Sequence, residues 1–264
     1  MPRTVIIDGD ILVYKVSTGI VEEFELEALE DEECIFQTVS WGNKEQAKQK
    51  VDDLIEKITK DTKSTDYIIA LSDATNNFRK TINPNYKGNR KKIKPILWKF
   101  LREYLTTNHK TYERPNLEAD DVIGILATSK KIIKDDKVVW SMDKDFKTIP
   151  CKFRREFPNG THESKIIYED EADWWFMYQT LIGDRVDGYE GCKGIGDKIA
   201  RKILGDVGEK SLKEMWKLVK ATYTKAGFTE EDALRNARMA RILRVEDYDF
   251  KNKEVKLWTI TTTN

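Results

Sequence analysis

Three short apolar runs in this chain end in the same way. Thr4-Val5-Ile6-Ile7 stops at Asp8-Gly9-Asp10, Tyr67-Ile68-Ile69-Ala70-Leu71 stops at Ser72-Asp73, and Lys137-Val138-Val139-Trp140 stops at Ser141-Met142-Asp143-Lys144-Asp145. Unbroken runs of this kind, rich in β-branched residues and too short for helices, read as strands buried on both faces. Between them lie helical periods: Val51, Leu54, Ile55 and Ile58 within 46–58, then amphipathic stretches over 96–105 and 117–127. Buried strands alternating with helices predict an α/β fold with a parallel sheet flanked by helices. In such sheets ligands bind beyond the carboxyl ends of the strands, so all three strands deliver carboxylates to one edge. From Ala172 onward the pattern is helical, with Trp174, Trp175, Phe176, Leu181, Leu212, Trp216 and Leu218 as expected core.

The charge is balanced and segregated. Of 264 residues, 46 are Lys or Arg and 46 are Asp or Glu, a formal net charge of zero. Yet 22–33 holds eight acidic residues and no basic one, whereas 79–110 holds ten basic residues and one acidic. The acidic run reads as a solvated surface and receives no role. The basic stretch interleaves cations with aromatics and turn formers, Phe78-Arg79-Lys80 followed by Asn85-Tyr86-Lys87-Gly88-Asn89-Arg90-Lys91-Lys92, which suits contact with a phosphate backbone. No apolar run reaches the roughly 18 residues of a membrane span, and the first ten residues lack the plan of a signal peptide, so a cytoplasmic protein is expected. Cys34, Cys151 and Cys192 have no metal-binding or disulfide-framework spacing, and only His109 and His162 are present. Carboxylates must carry any metal chemistry.

Singly, acids at strand ends and helix starts are ordinary caps, and Glu118 and Asp121 would be read so. Together, Asp8, Asp73, Glu118, Asp120, Asp121, Asp143 and Asp145, joined by Asp184 and Asp187, would crowd one cleft. Like charges a few ångströms apart repel by roughly 4 kcal/mol at an effective dielectric near 20. Such a cluster takes up protons or binds cations, and oxygen ligands without His or Cys point to Mg²⁺, with Mn²⁺ as substitute. Two such ions hydrolyse phosphodiesters by activating water and steadying the leaving oxygen. After Gly183-Asp184-Arg185-Val186-Asp187-Gly188, the turn Lys193-Gly194-Ile195-Gly196-Asp197-Lys198 opens a helix. It offers backbone N–H groups and a cation to a duplex backbone.

In this order, these motifs resemble the structure-specific 5′ nucleases, the superfamily of flap endonucleases and the 5′ nuclease domains of bacterial DNA polymerases. The signposts are Asp8, Asp73 with Phe78-Arg79, Tyr86 to Arg90, Glu118-Ala119-Asp120-Asp121, Asp143-Lys144-Asp145, and Gly183-Asp184 through Asp187 into Gly194-Ile195-Gly196. The 143–150 segment, Ala172-Asp173-Trp174-Trp175 and Met239 to Arg244 look like the 5′→3′ exonuclease branch of short-tailed coliphage-like viruses. The resemblance implies a PIN-like nuclease domain over 1–173, a basic arch at about 76–114, and a helical DNA-binding region over 174–264 with a glycine hairpin. It implies a first metal around Asp8, Asp73, Glu118, Asp120 and Asp121, and a second around Asp143, Asp145, Asp184 and Asp187. Lys87 and Arg90 would steer the scissile phosphate. Arg79, Tyr86, Lys91, Lys92, Lys193, Gly194, Ile195, Gly196 and Lys198 would contact DNA. The implied activity is metal-dependent 5′→3′ removal of nucleotides from duplex DNA, and from the RNA of RNA–DNA hybrids, by a monomer serving primer removal and DNA breakdown in phage replication. Cutting of 5′ flaps is the alternative. Asp8-Gly9-Asp10 at a strand end also resembles the nucleophile motif of haloacid-dehalogenase-like phosphatases, and Gly183-Asp184 through Asp187 their metal motif, a scheme that leaves Glu118 to Asp121, the basic block and the glycine hairpin without work.

Overall fold

A computed structural model describes the backbone of residues 2–19, 21–30, 33–89 and 94–260. The elements run β1 (Arg3–Asp8), α1 (Gly9–Thr18), β2 (Val21–Glu30), β3 (Glu33–Gly42), α2 (Lys44–Asp61), β4 (Asp66–Leu71), α3 (Arg79–Ile82), α4 (Trp98–Asn108), β5 (Thr111–Glu113), α5 (Ala119–Thr128) and β6 (Asp136–Ser141). A 3-10 turn over Lys144–Thr148 leads to β7 (Cys151–Glu156) and β8 (His162–Ile167). The helices α6 (Glu169–Ile182), α7 (Asp197–Leu204), α8 (Leu212–Lys225) and α9 (Glu230–Ala240) follow.

The sheet has six strands in the order β5-β4-β1-β6-β7-β8, parallel throughout except for the last pair. The chain steps outward from β1 to β4 and β5, then returns to place β6 on the other side of β1. That reversal makes a crevice at the carboxyl ends of β1 and β6, the place where such sheets bind ligands. The three apolar runs are β1, β4 and β6, with Val5, Ile6, Ile7, Ile69, Ala70, Leu71 and Val139 shielded from solvent. One face packs on α1, α2 and α4 through Leu12, Val51, Ile55, Leu101 and Leu105. The other packs on α5, where Val122, Ile123, Ile125 and Leu126 are buried on nearly every side. A third cluster joins α6, α8 and α9 through Phe176, Leu181, Val219, Tyr223, Ala233 and Ala237.

Four features go beyond or differ from the sequence expectation. Of the acidic run, residues 22–30 and 33 lie on a two-stranded antiparallel ribbon, β2 with β3. The stretch expected as an arch over 76–114 divides, because α4 packs into the sheet core and β5 pairs with β4. Trp175, Leu212 and Leu218, expected in the core, are only half-buried, the first two against the third cluster. The helix α6 crosses the expected boundary at 173/174 unbroken, giving Ala172 to one cluster and Trp174 to the next.

The chain then returns. After α9, Ile242 and Leu243 re-enter the core beside α5, Leu243 N–H donates to Asp121 at 3.2 Å, and Val245 N–H donates to Thr128 at 2.8 Å. This strap passes so close to α5 that a Cβ at Gly124 would overlap the Leu243 carbonyl oxygen. Cys151 and Cys192 are free thiols. No helix among the described residues is long and apolar enough to cross a membrane.

Candidate active site

A cleft of about 390 Å³ opens at the carboxyl ends of β1 and β6, lined by Asp8, Asp10, Glu118, Asp120, Asp143, Asp145, Asp184 and Asp187 together with Lys87. Each carboxylate arrives on its own piece of local structure. Asp8 ends β1 and caps α1, accepting from Ile11 N–H at 3.1 Å and from Ser141 Oγ–H at 2.6 Å. Glu118 sits at the N-terminus of α5 with Asp120 in the first turn. Asp143 caps the 3-10 turn by accepting from Asp145 N–H at 2.8 Å. Asp184 folds its loop by accepting from the N–H groups of Val186 and Asp187. That loop requires glycine at both ends: Gly183 and Gly191 have positive φ (70° and 68°), and a Cβ on either would overlap the other's backbone.

The electrostatics divide the acids into two groups. Burial, reinforced by the neighbouring acids Asp10 and Asp143, pushes the Asp8 carboxyl up to about 7 against the Ser141 hydrogen bond. Burial and the charges of Asp8 and Asp143 raise Asp120 as well. Burial and Asp143 raise Asp145 to about 6, although it also accepts from Gln179 at 3.2 Å. Glu118 is the opposite case. Burial opposes its ionisation, but Lys87 and Arg79 outweigh it and bring the carboxyl down to about 2. Lys87 Nζ lies 2.5 Å from Glu118 and 3.7 Å from Asp187. Its backbone is held at positive φ (54°) by the N–H bond to the Asp187 carbonyl at 2.9 Å. Asn83 and Asn89 side chains add bonds to Gly188 and Arg185 carbonyls, so loop 83–89 is docked on loop 184–189.

Two expected ligands stand elsewhere. Asp121 is fully buried beneath the cleft and receives both Arg79 guanidinium nitrogens at 2.7 Å, plus the N–H groups of Leu243 and Glu118. Its lone pairs are spent on the fold. Asp73 does not line the cleft, because its two oxygens accept from Thr75, Asn76 and Asn116 N–H groups. Partial burial works against its ionisation, yet these bonds prevail and hold its carboxyl well below the usual range. Two expected DNA contacts are also redirected. Arg79 is buried, and also donates to the carbonyls of Met239 and Arg241. Tyr86 is buried, with its hydroxyl donating to Glu118 at 2.8 Å and Asp187 at 3.2 Å. Arg90, Lys91 and Lys92 lie outside the described residues.

Asp10 occupies the ground expected for Asp73. Arg102 donates to it at 3.1 Å and Ser72 Oγ donates to its other oxygen, while Ser72 Oγ accepts from Ala119 N–H at 2.8 Å. The pattern Asp8-Gly9-Asp10 carried that signal, whereas nothing in the sequence marked Gln179. Among the described residues no three His, Cys, Asp or Glu side chains form a ready-made coordination set. The donor chemistry nevertheless suits a hard cation: the acids are all oxygen ligands, and three of them are driven toward protonation by burial and mutual repulsion that a divalent ion would relieve.

Beyond the cleft, Lys193, Gly194, Gly196 and Lys198 are exposed around the start of α7, with Ile195 half-buried and Gly194 at φ 81°. Asp197 is held aside, accepting from Tyr178 and Arg201 at 2.7 Å each.

The sequence profile of the 5′–3′ exonuclease N-terminal resolvase-like domain matches residues 3–155. The chain is 32% identical to the exonuclease of Escherichia phage T7 over 96% of its own length and 92% of that protein. It is 31% identical to the exodeoxyribonuclease of Enterobacteria phage T3 over the same shares. Its fold superposes on the T5 D15 protein co-crystallised with metal ions with a TM-score of 0.61 at 18% identity, covering 91% of this chain and 89% of that one. With the profile spanning more than half of the chain and the T7 and T3 relatives spanning nearly all of it, the protein belongs to the 5′–3′ exonuclease family.

Proposed function

We propose that this 5′–3′ exonuclease hydrolyses phosphodiesters from the 5′ ends of duplex DNA, using divalent cations held by Asp8, Asp120, Asp143, Asp145 and Asp184. The observation that carries this is one cleft in which Asp8, Asp120 and Asp145 are pushed toward protonation while Lys87 stands between Glu118 and Asp187. Mg²⁺ is the proposed ion, Mn²⁺ a substitute, and two ions the proposed number. Bound there, the ions supply an activated water and neutralise charge on the scissile phosphate.

The protein's own groups do the rest. Lys87 places an ammonium at the cleft wall, and an arriving phosphate competes with Glu118 for it. Glu118 and Asp187 orient that amine and the Tyr86 hydroxyl. Arg90 is assigned the companion role by its place in the sequence. Lys193, Lys198 and the N–H groups of the glycine turn hold the duplex backbone away from the cleft, fixing how far a 5′ end can reach. The names of the T7 and T3 relatives support DNA as substrate. The RNA strand of an RNA–DNA hybrid is a second proposed substrate, and the protein is proposed to act as a monomer in the cytoplasm, in primer removal and DNA breakdown.

The test is release of short nucleotides from a labelled duplex with Mg²⁺, compared with chelator and with Asp143→Asn. Cleavage should vanish in both while the variant keeps duplex binding. Undiminished cleavage by Asp143→Asn would sink the assignment. A 5′ flap and an RNA–DNA hybrid run in parallel define the substrate range by product length.

A further inference from the structure

The helix α6 carries two different stripes. Trp174, Met177, Tyr178 and Leu181 are buried and face α7 to α9. Trp175, Gln179 and Ile182, spaced four and then three residues apart, form a second stripe that is only half-buried. Opposite it stands the 3-10 turn that carries Asp143 and Asp145, and between the two lies a recess of about 240 Å³. The recess shares Lys144, Asp145, Gln179 and Asp184 with the cleft, so the two spaces adjoin.

Its chemistry is unlike that of the cleft. The Trp175 indole stands edge-on to Trp174 and Tyr178, with centroids at 5.1 and 5.2 Å and interplanar angles of 84° and 80°. Lys147 Nζ lies 4.7 Å from the Trp175 ring centroid. The Arg201 guanidinium also lies near the ring, 5.5 Å from its centroid. An aromatic ring fronted by the half-buried Lys147, with the exposed Lys144 on the same rim, suits a flat π-system attached to a phosphate. The volume falls below the roughly 300 Å³ at which drug-sized sites begin, which leaves room for one planar ring system. Trp175 packs on the outer side of the third cluster, whose Trp174, Phe176 and Tyr178 rings are buried while its own is half-exposed to the recess.

We propose that this recess is a nucleotide subsite: the base at the 5′ end being cleaved stacks on Trp175, and Lys147 leaves the ring to meet the nucleotide's phosphate beside Lys144. The proposal rests on the nuclease reading and adds to it a contact with the departing nucleotide. Stacking on a π-face accepts any base, which suits an enzyme that must digest every sequence. Holding the terminal base on one side of Asp145 would also fix which phosphodiester sits in the cleft.

The test pairs a protein change with a substrate change. Trp175→Ala should slow single-turnover cleavage of an ordinary 5′ end by roughly tenfold, in line with a single base-stacking contact. An abasic 5′-terminal residue should slow the wild type by a similar factor and slow Trp175→Ala no further. Trp175→Phe, which keeps a ring, should stay within about threefold of wild type, separating stacking from folding. Wild-type cleavage of the abasic end at the ordinary rate, or multiplying penalties in the variant, would overturn the subsite. Calorimetric titration with 2′-deoxyadenosine 5′-monophosphate reports on the recess by itself: binding that Trp175→Ala loses and Trp175→Phe keeps is expected even if no 5′ end is cut. Equal affinity in all three proteins would refute the proposal without touching the nuclease reading.

Discussion

Arg79 grips Asp121 through two guanidinium contacts of 2.7 Å, both side chains buried beneath the cleft. The same guanidinium reaches Glu118 at 3.1 Å and the carbonyls of Met239 and Arg241. One side chain thus ties the start of α5 to the C-terminal strap. Breaking a buried pair from one side leaves the other charge stranded, at a cost of about 3–5 kcal/mol. Arg79→Ala and Asp121→Ala should therefore lower the urea midpoint sharply. Divalent-ion affinity, measured by calorimetry where Asp121→Asn still folds, should change far less than in Asp143→Asn. A larger loss of ion affinity in Asp121→Asn would return Asp121 to the ligands.

Lys87 presents the cleft's amine on a left-handed backbone position. Lys87→Met should lower single-turnover cleavage by about 10²-fold, the scale for removing one preorganised charge-stabilising donor. Duplex affinity should fall by less than about fivefold, since a single phosphate contact is a small part of such an interface. Filter binding and rapid-quench kinetics on one substrate check the split.

The raised carboxyls make the metal-free protein sensitive to pH. Asp8 binds its proton more tightly folded, at about 7, than unfolded, near the ordinary 3.8. Between those values the folded state holds more protons, so stability falls as pH rises through this window. Asp145, raised to about 6, adds to the same trend. The melting temperature in chelator should drop from about pH 5 to about pH 8, and Mg²⁺ should restore most of the loss at the upper end. A flat profile in chelator would contradict it.

Lys193 and Lys198 flank the glycine turn, both exposed. If each neutralises one phosphate, replacing both with Ala should reduce the slope of log affinity against log salt by about 2. Cleavage within saturated complexes should hold, because neither residue lines the cleft.

Much of the fold was legible because strand ends and helix periods are local signals. β1, β4 and β6 appear where their apolar runs predicted, and the crevice follows from their order. The ribbon of β2 and β3 was not read from the sequence, although the alternation Glu23-Phe24-Glu25-Leu26-Glu27-Ala28 has the period of two of a strand, because so dense a run of acids fits a solvated surface equally well. What local pattern could not supply was the fate of neighbouring acids. Asp120 and Asp121 are adjacent in one helical turn and point about 100° apart, and partners as distant in sequence as Arg79, 42 residues away, and Leu243 decide which is consumed by the fold. The same holds for Arg79 and Tyr86, whose cation and aromatic character suits a nucleic-acid contact and a buried pin equally well. Asp73 and Asp10 exchange places because the N–H groups of Thr75 and Asn76 in Asp73's own turn, and of the distant Asn116, capture the first.

The strap has a consequence for the order in which the protein is made. Leu243 meets Asp121 across 122 residues of chain, and Arg79 meets the Arg241 carbonyl across 162. Contacts so far apart in sequence close late. A nascent chain emerging from the ribosome thus displays every cleft carboxylate well before the strap that pins α5 in place. The protein's cutting power should arrive only once the strap has been made, and a chain that stops short of it should be harmless to the DNA around it.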